Sequence, residues 1–253
     1  TPKLTGLART HLALGDYAKC LSVIEKDDEL AGLRAFMEAA TLITGAVKPG
    51  DSVFTYDQLP KLFILNTAVH NPTGLSLSAG VAHEVLRIAE RHDFLLVEDD
   101  TYAEFLGAMP LRLAAMDRLQ RVILVGGYSK TLSGGLRVGY IATRPEYVHR
   151  LTDMKLLAGL TSSLPAEQIV HHILADGSFR KHVDRLRERV DRARGRCLRK
   201  LEALGCHAEY EPVAGTFAWV DCGVDTEVLA RQAALSNLLL APGLLFSPQQ
   251  ATS

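Results

Sequence analysis

Three apolar runs that do not alternate constrain this chain most: Leu62–Leu65, Phe94–Val97 and Val122–Val125. A strand with one wet face alternates apolar and polar residues, whereas a run apolar at every position is covered on both faces. Val81, Val85, Ile88 and Ala89 give the stretch after the first run one apolar helical face, with Ser78 placed to cap that helix. Strands of this kind alternating with helices predict an α/β fold built on a mainly parallel sheet between helices. Ligands of such sheets collect at the carboxyl ends of the strands. Asn71, Asp99 and Lys130 each lie just past the end of a different run. An amide, a carboxylate and an amine therefore converge on one edge of the sheet.

The third loop, Gly126-Gly127-Tyr128-Ser129-Lys130-Thr131-Leu132-Ser133-Gly134-Gly135-Leu136-Arg137, is the most unusual. It runs between two apolar stretches, yet holds a lysine and an arginine, which are seldom buried without partners. Its glycines let the backbone bend and let another group approach closely. A surface loop with two solvated cations is the plain reading. The chemical reading is sharper. A lysine desolvated in an apolar loop becomes a nucleophile toward aldehydes. A carboxylate that holds a proton on a heteroaromatic nitrogen turns that ring into an electron sink. An arginine beside small residues suits a phosphate. Together these describe a site for pyridoxal 5'-phosphate. Ser129-Lys130-Thr131 also prompts a P-loop reading, which fails because that signature needs glycine directly before the lysine.

Three motifs carry a family resemblance: His70-Asn71-Pro72-Thr73-Gly74, then Asp99-Asp100-Thr101-Tyr102, then Ser129-Lys130 with Arg137 seven residues on. In this order and spacing, 28 residues from Asn71 to Asp99 and 31 from Asp99 to Lys130, the chain resembles the class I and II aminotransferases of fold type I. Glu98-Asp99-Asp100, Glu104-Phe105, the Lys-to-Arg spacing and Leu240-Ala241-Pro242-Gly243 are most similar to MocR-type regulators. In those proteins an aminotransferase-like domain follows a winged helix-turn-helix of the GntR class. The resemblance implies that Lys130 forms the internal aldimine and moves the proton of the substrate. It implies that Asp99 pairs with the pyridine nitrogen, that Asn71 and Tyr102 hydrogen-bond the ring oxygen, and that Ser129 and Arg137 join the cofactor-binding set, Arg137 on the phosphate. The implied activity is transfer of an amino group between an amino acid and a 2-oxo acid, in a cytoplasmic homodimer. The alternative is the effector-sensing domain of a MocR-type transcription regulator, touching DNA only through an upstream domain not present in this chain.

The sequence departs from that family in three places. Gly127 stands where a Ser or Thr contacts the phosphate. Only about 30 residues lie between Leu33 and Leu62, where the family has a phosphate loop, a ring-stacking aromatic and further strands. No arginine follows Phe246 to bind a substrate carboxylate. Omission of family segments from the sequence is the expectation these departures raise.

The rest of the chain bounds the function. A net charge of −1 and 23% charged residues favour neither nucleic acid nor a membrane surface as a partner of the whole chain. Four scattered cysteines form no CxxC pair, so neither a metal site nor a disulfide framework is expected. No apolar run approaches the roughly 20 residues of a membrane span. Residues 1–32 carry no motif, 33–160 read as a large cofactor-binding domain, and 161–253 as a smaller α+β C-terminal domain. A helix is predicted from Leu33 to Ile43, a turn at Pro49-Gly50-Asp51 and a strand over Ser52–Thr55. Pro145 and Pro165 are placed to open helices at their first turns. Phe179–Leu204 is a long amphipathic helix whose basic face is expected to be solvated, with Asp184, Glu188 and Asp191 as ion-pair partners. Phe217–Val220 reads as a strand, and Val228–Leu240 as a helix running into another.

Overall fold

The apolar runs become a four-stranded sheet in the computed structural model, which describes residues 61–107, 110–208, 210 and 212–246. The helix, turn and strand expected between residues 33 and 55 lie outside the described residues.

The sheet has the order β1 (Leu62–Asn66), β2 (Leu95–Asp99), β3 (Val122–Gly127), β4 (Gly139–Ala142). The first three strands are parallel, in a register that sets Asn66 beside Asp99 and Asp99 beside Val125. β4 runs antiparallel to β3 and pairs Gly126 with Tyr140 and Gly127 with Gly139. One edge therefore collects the carboxyl ends of β1, β2 and β3. The loop 128–138 leaves that edge and returns to it.

Among the described residues, one face of the sheet is closed. Leu65, Leu96, Glu98 and Val122 are buried on it, whereas Ile64 on the other face is 66% exposed. Among the described residues, β1 ends the four-stranded order and has a strand neighbour on one side only.

The chain separates into two compact units. One comprises Leu62–Ala79 and Leu95–Val220. It holds the sheet, the short helix α2 (Leu113–Asp117), and helices α3 (Pro145–Gly159), α4 (Leu164–Ala175) and α5 (Ser178–Ala203). Prolines stand in the first turns of α3 and α4, as expected. α5 follows Gly177, whose φ of 75° suits glycine. The three acidic partners pair as anticipated: Asp184 with Arg187, Glu188 with Arg192, Asp191 with Arg194. Two of those arginines do more than meet solvent. Arg187 Nε donates to the Glu104 carbonyl at 2.7 Å, and Arg194 Nη1 donates to the Gly215 carbonyl at 2.8 Å.

The other unit, in its described part, comprises Gly80–Phe94 and Asp221–Phe246. Helix α1 (Ala79–Arg91) buries Ala82, Val85, Ile88 and Ala89, so its apolar face is the one the spacing predicts. Helix α6 (Thr226–Leu235) starts earlier than the apolar spacing suggests, because Asp225 caps it: its Oδ1 accepts the Glu227 and Val228 N–H groups. The strands expected around it are largely absent among the described residues. Only Val220–Asp221 (β6) pairs, with His207–Ala208 (β5), and the chain after α6 forms a single tight turn, Gly243–Phe246. Apolar character at Phe217–Trp219 and Leu238–Leu240 is thus not matched by strand structure at those residues.

Glu98 is the buried exception in the core. Its Oε1 accepts from the Thr67 hydroxyl at 2.7 Å and the Leu113 N–H at 2.9 Å, and its Oε2 from the Ala114 N–H at 2.8 Å. The last two are free amides at the start of α2, which a negative group satisfies well. Glu98→Ala strands three donors, so equilibrium denaturation should show a loss of about 3 kcal/mol, with Glu98→Gln losing less because it keeps one acceptor oxygen. A loss below about 1 kcal/mol for the alanine variant would contradict this role.

Candidate functional site

Alternation along β2 and beyond sorts three consecutive carboxylates. Glu98 faces the closed side, Asp99 the other, and Asp100 lies just past the strand. Asp99 is half-buried at the functional edge. Its Oδ1 accepts from the Thr101 N–H at 2.9 Å and from the Thr101 hydroxyl. Its Oδ2 accepts from no donor among the described residues, and so remains available for one. The Asn66 amide at the end of β1 donates to the Asp99 carbonyl at 3.0 Å and locks the two strand ends together.

The loop after β2 turns back through Tyr102. That ring meets Phe217 edge-on at 4.9 Å, and the Lys130 ammonium sits 5.6 Å from its centroid. The loops after β2 and β3 therefore do meet. Lys130 itself is exposed, which corrects the expectation of a desolvated lysine. Its neighbour Thr131 takes the buried position instead. The Thr131 carbonyl accepts a proton donor from His182 Nε2 on α5 at 2.8 Å, which fixes that nitrogen as protonated. Ser129 is half-buried beside it.

The loop after β1 is a tight turn. Gly74 N–H donates to the His70 carbonyl and His70 N–H to the Leu75 carbonyl, both at 2.7 Å. Gly74 has φ of +74°, and a Cβ there would come within 2.7 Å of Pro212 Cβ, so only glycine fits. His70 Nδ1 lies 2.9 Å from the Thr73 hydroxyl, and burial pushes its imidazole below its ordinary pKa. Asn71 stands exposed in this turn. Arg137 is also exposed, in a left-handed conformation with φ of 53°, after the tight turn Gly134–Leu136 that Ser133 caps. Neither Asn71 nor Arg137 hydrogen-bonds to the other site residues. The structure therefore brings together Tyr102 and Lys130, with Asp99 and Ser129 next to them in the chain, and leaves Asn71 and Arg137 outside this contact.

A second group at the same edge escaped the sequence reading. Arg112 Nε donates to both oxygens of Asp100, at 2.9 and 3.0 Å, and its Nη2 reaches Glu104 at 3.4 Å. Tyr140 OH donates to Asp100 at 3.5 Å. The group that approaches the glycines is the Tyr140 ring: a Cβ on Gly126 would stand 2.4 Å from its Cζ. The signal in the sequence is the glycine pair facing Gly139-Tyr140 across β3 and β4. Burial outweighs the Arg112 guanidinium and raises the Asp100 carboxyl to about 6. Burial, reinforced by the Asp100 charge, pushes the Tyr140 phenol up to about 12.

Two buried polar atoms at this edge lack partners among the described residues: Asn66 Oδ1 and Thr131 Oγ1. Such atoms are costly unless something polar meets them. Together with an amine, a carboxylate with a free oxygen and a small-residue loop, they fit a polar, anionic, heteroaromatic group such as pyridoxal phosphate.

Comparison with known proteins agrees. Residues 51–248 match the family model "Aminotransferase class I and II". The chain is 25% identical over 240 residues to the HTH-type transcriptional regulator YdfD of Bacillus subtilis, covering 90% of this chain and 50% of that protein. It is 28% identical over 182 residues to aromatic-amino-acid aminotransferase 1 of Thermococcus litoralis, covering 70% and 44%. Among solved structures, it resembles a multiple substrate aminotransferase from Thermococcus profundus at a TM-score of 0.69 and 25% identity, covering 76% of this chain and 49% of that one. It also resembles a kynurenine aminotransferase of Pyrococcus horikoshii solved with PMP, at 0.68 and 26%, covering 75% and 48%. The chain spans about half the length of the curated relatives it matches.

The Asp100 carboxyl yields a test with a definite sign. Its folded value of about 6 lies above its ordinary 3.8, so the folded state binds that proton more tightly. Stability relative to Asp100→Asn should fall as pH rises from about 4 to 6, by about 3 kcal/mol in all, and level off above that window. Urea unfolding of both proteins across that range reads it; a relative stability that rises with pH would contradict the assignment.

Proposed function

The chain belongs to the class I and II aminotransferase family and has its fold type I architecture, and from this we propose that it is the pyridoxal-phosphate-binding part of an aminotransferase. The observation that carries the reading is the meeting of Lys130 with Tyr102 at the edge where Asp99 keeps a free carboxylate oxygen. Bound pyridoxal phosphate supplies an electron sink for the carbanion left when an amino acid loses its α-proton. The chain's residues then have separable tasks. Lys130 provides the amine that carries the cofactor and afterwards takes and returns the proton at the substrate α-carbon. Asp99 holds a proton on the pyridine nitrogen through its free oxygen. Tyr102 and Asn71 hydrogen-bond the ring oxygen. Arg137 would bind the phosphate, where Gly127 contributes no hydroxyl, and Ser129 would join the cofactor-binding set. The substrates are an amino acid and a 2-oxo acid, and the protein is a cytoplasmic homodimer.

A second reading rests on the similarity to YdfD over 90% of this chain. In it the same pocket senses an amino compound, and DNA is contacted by a domain upstream in a longer protein. The pocket residues keep their tasks; turnover is what separates the readings.

Titration with pyridoxal phosphate should produce a visible absorption band that Lys130→Ala abolishes. Asp99→Asn should keep binding but slow amino transfer by about 10²-fold or more. Release of a 2-oxo acid on adding single amino acids identifies the enzyme; a band shift without turnover identifies the sensor. Absence of the band in the wild-type protein overturns both.

A further inference from the structure

α5 carries more charge than its packing uses. Ser178–Ala203 holds ten Lys and Arg against four carboxylates, a net charge of +6 in a chain that totals −1. The helical period sorts these charges. Val183 is buried on the inner face. Arg187 and Arg194 reach backbone carbonyls and take up Asp184 and Asp191. Of the eight cations left over, six form a row: Lys181, Arg185, Arg189, Arg192, Arg196 and Arg199, all exposed. They step by three or four along one outer face. Among the described residues only Arg192 has a carboxylate partner, Glu188 at 3.2 Å. The row is about 27 Å long, with a cation roughly every 5–6 Å. Like charges three and four apart destabilise a helix, so the row does nothing for α5 itself.

We infer that this face of α5 binds the phosphate backbone of duplex nucleic acid. Guanidinium forks match phosphate oxygens in bidentate pairs, which point charges on lysine do not. An anionic membrane is the competing surface, but an interfacial helix sinks an apolar face into lipid. The apolar side of α5 is turned into the protein, and the row contains no aromatic or large aliphatic residue. Contacts made only to phosphates position without reading bases, so the binding is indifferent to sequence and steeply dependent on salt.

The test uses the full-length protein and a short duplex of arbitrary sequence, with affinity followed by fluorescence anisotropy over a range of salt. Arg185→Gln, Arg189→Gln and Arg196→Gln combined should lower the slope of log K against log salt by about three and weaken binding more than tenfold at low salt. The matching triple lysine variant should retain the slope, and Arg150→Gln, at an exposed cation on α3, should leave it unchanged. The cofactor absorption band should be intact in every variant, which separates this surface from the pocket. An unchanged slope in the glutamine variant overturns the inference. So does absence of duplex binding at low salt, or binding to phosphatidylserine vesicles that depends on the row without duplex binding.

Discussion

A fully buried carboxylate holds the end of β2 in place. Glu98 is fully buried, and its two oxygens collect one hydroxyl from beyond β1 and two amides from the start of α2. Because side chains alternate along a strand, turning Glu98 to the closed face turns Asp99 to the other. A slip of one residue would bury Asp99 and expose Glu98, losing all three bonds at once. The position of Asp99 is thus set by the hydrogen-bond demand of its neighbour. Asp100 then leaves the strand and meets Arg112, a residue that enters α2 from the other side of the same turn. The start of α2 is in this way tied twice to the end of β2.

The lysine loop is held by a different principle, close backbone approach. β3 and β4 meet at Gly126 and Gly139, where added side chains would strike neighbouring atoms. Their small size lets the Tyr140 ring cross over Gly126 and reach Asp100. Within the loop, Leu132 N–H donates to the Tyr128 carbonyl at 2.8 Å, and Tyr128 N–H to the Val138 carbonyl at 3.2 Å. His182 adds a clasp from α5 on Thr131. A segment rich in glycine and serine is thereby given a defined path.

What could be read in the sequence was whatever depends on neighbours in the chain. The strand ends at Asn66, Asp99 and Gly127 follow from apolar runs that stop at polar residues, and the proline-opened helices follow from local backbone rules. The meeting of Tyr102 and Lys130 at one edge follows from parallel strands, and so was legible too. Contacts set by distant geometry were not. Nothing local marks Arg112 as the partner of Asp100, or Thr67 as a donor to Glu98. The glycines of the lysine loop were legible as a place of close approach, but they do not say that a tyrosine from the next strand fills it. Arg187 and Arg194 look like their neighbours on α5 until the carbonyls at Glu104 and Gly215 are in place to receive them. Phe217–Trp219 has strand composition but forms no strand.

The exposure of Lys130 fits the two tasks assigned to it. A lysine that both carries a cofactor and moves a proton at the substrate has to change position between them. A stem packed into the core would hold it in one place at the cost of the other task. Here the backbone is fixed and the side chain is free: Thr131 is buried and clasped by His182, while the Lys130 ammonium rests only against the Tyr102 ring. A cation on an exposed ring face gains about 0.5–1 kcal/mol, enough to bias the amine toward the Asp99 edge and too little to trap it there. Placement therefore comes from the loop and mobility from the side chain. The desolvation that makes the amine a nucleophile is then left to whatever covers the Tyr102 ring when the site is filled.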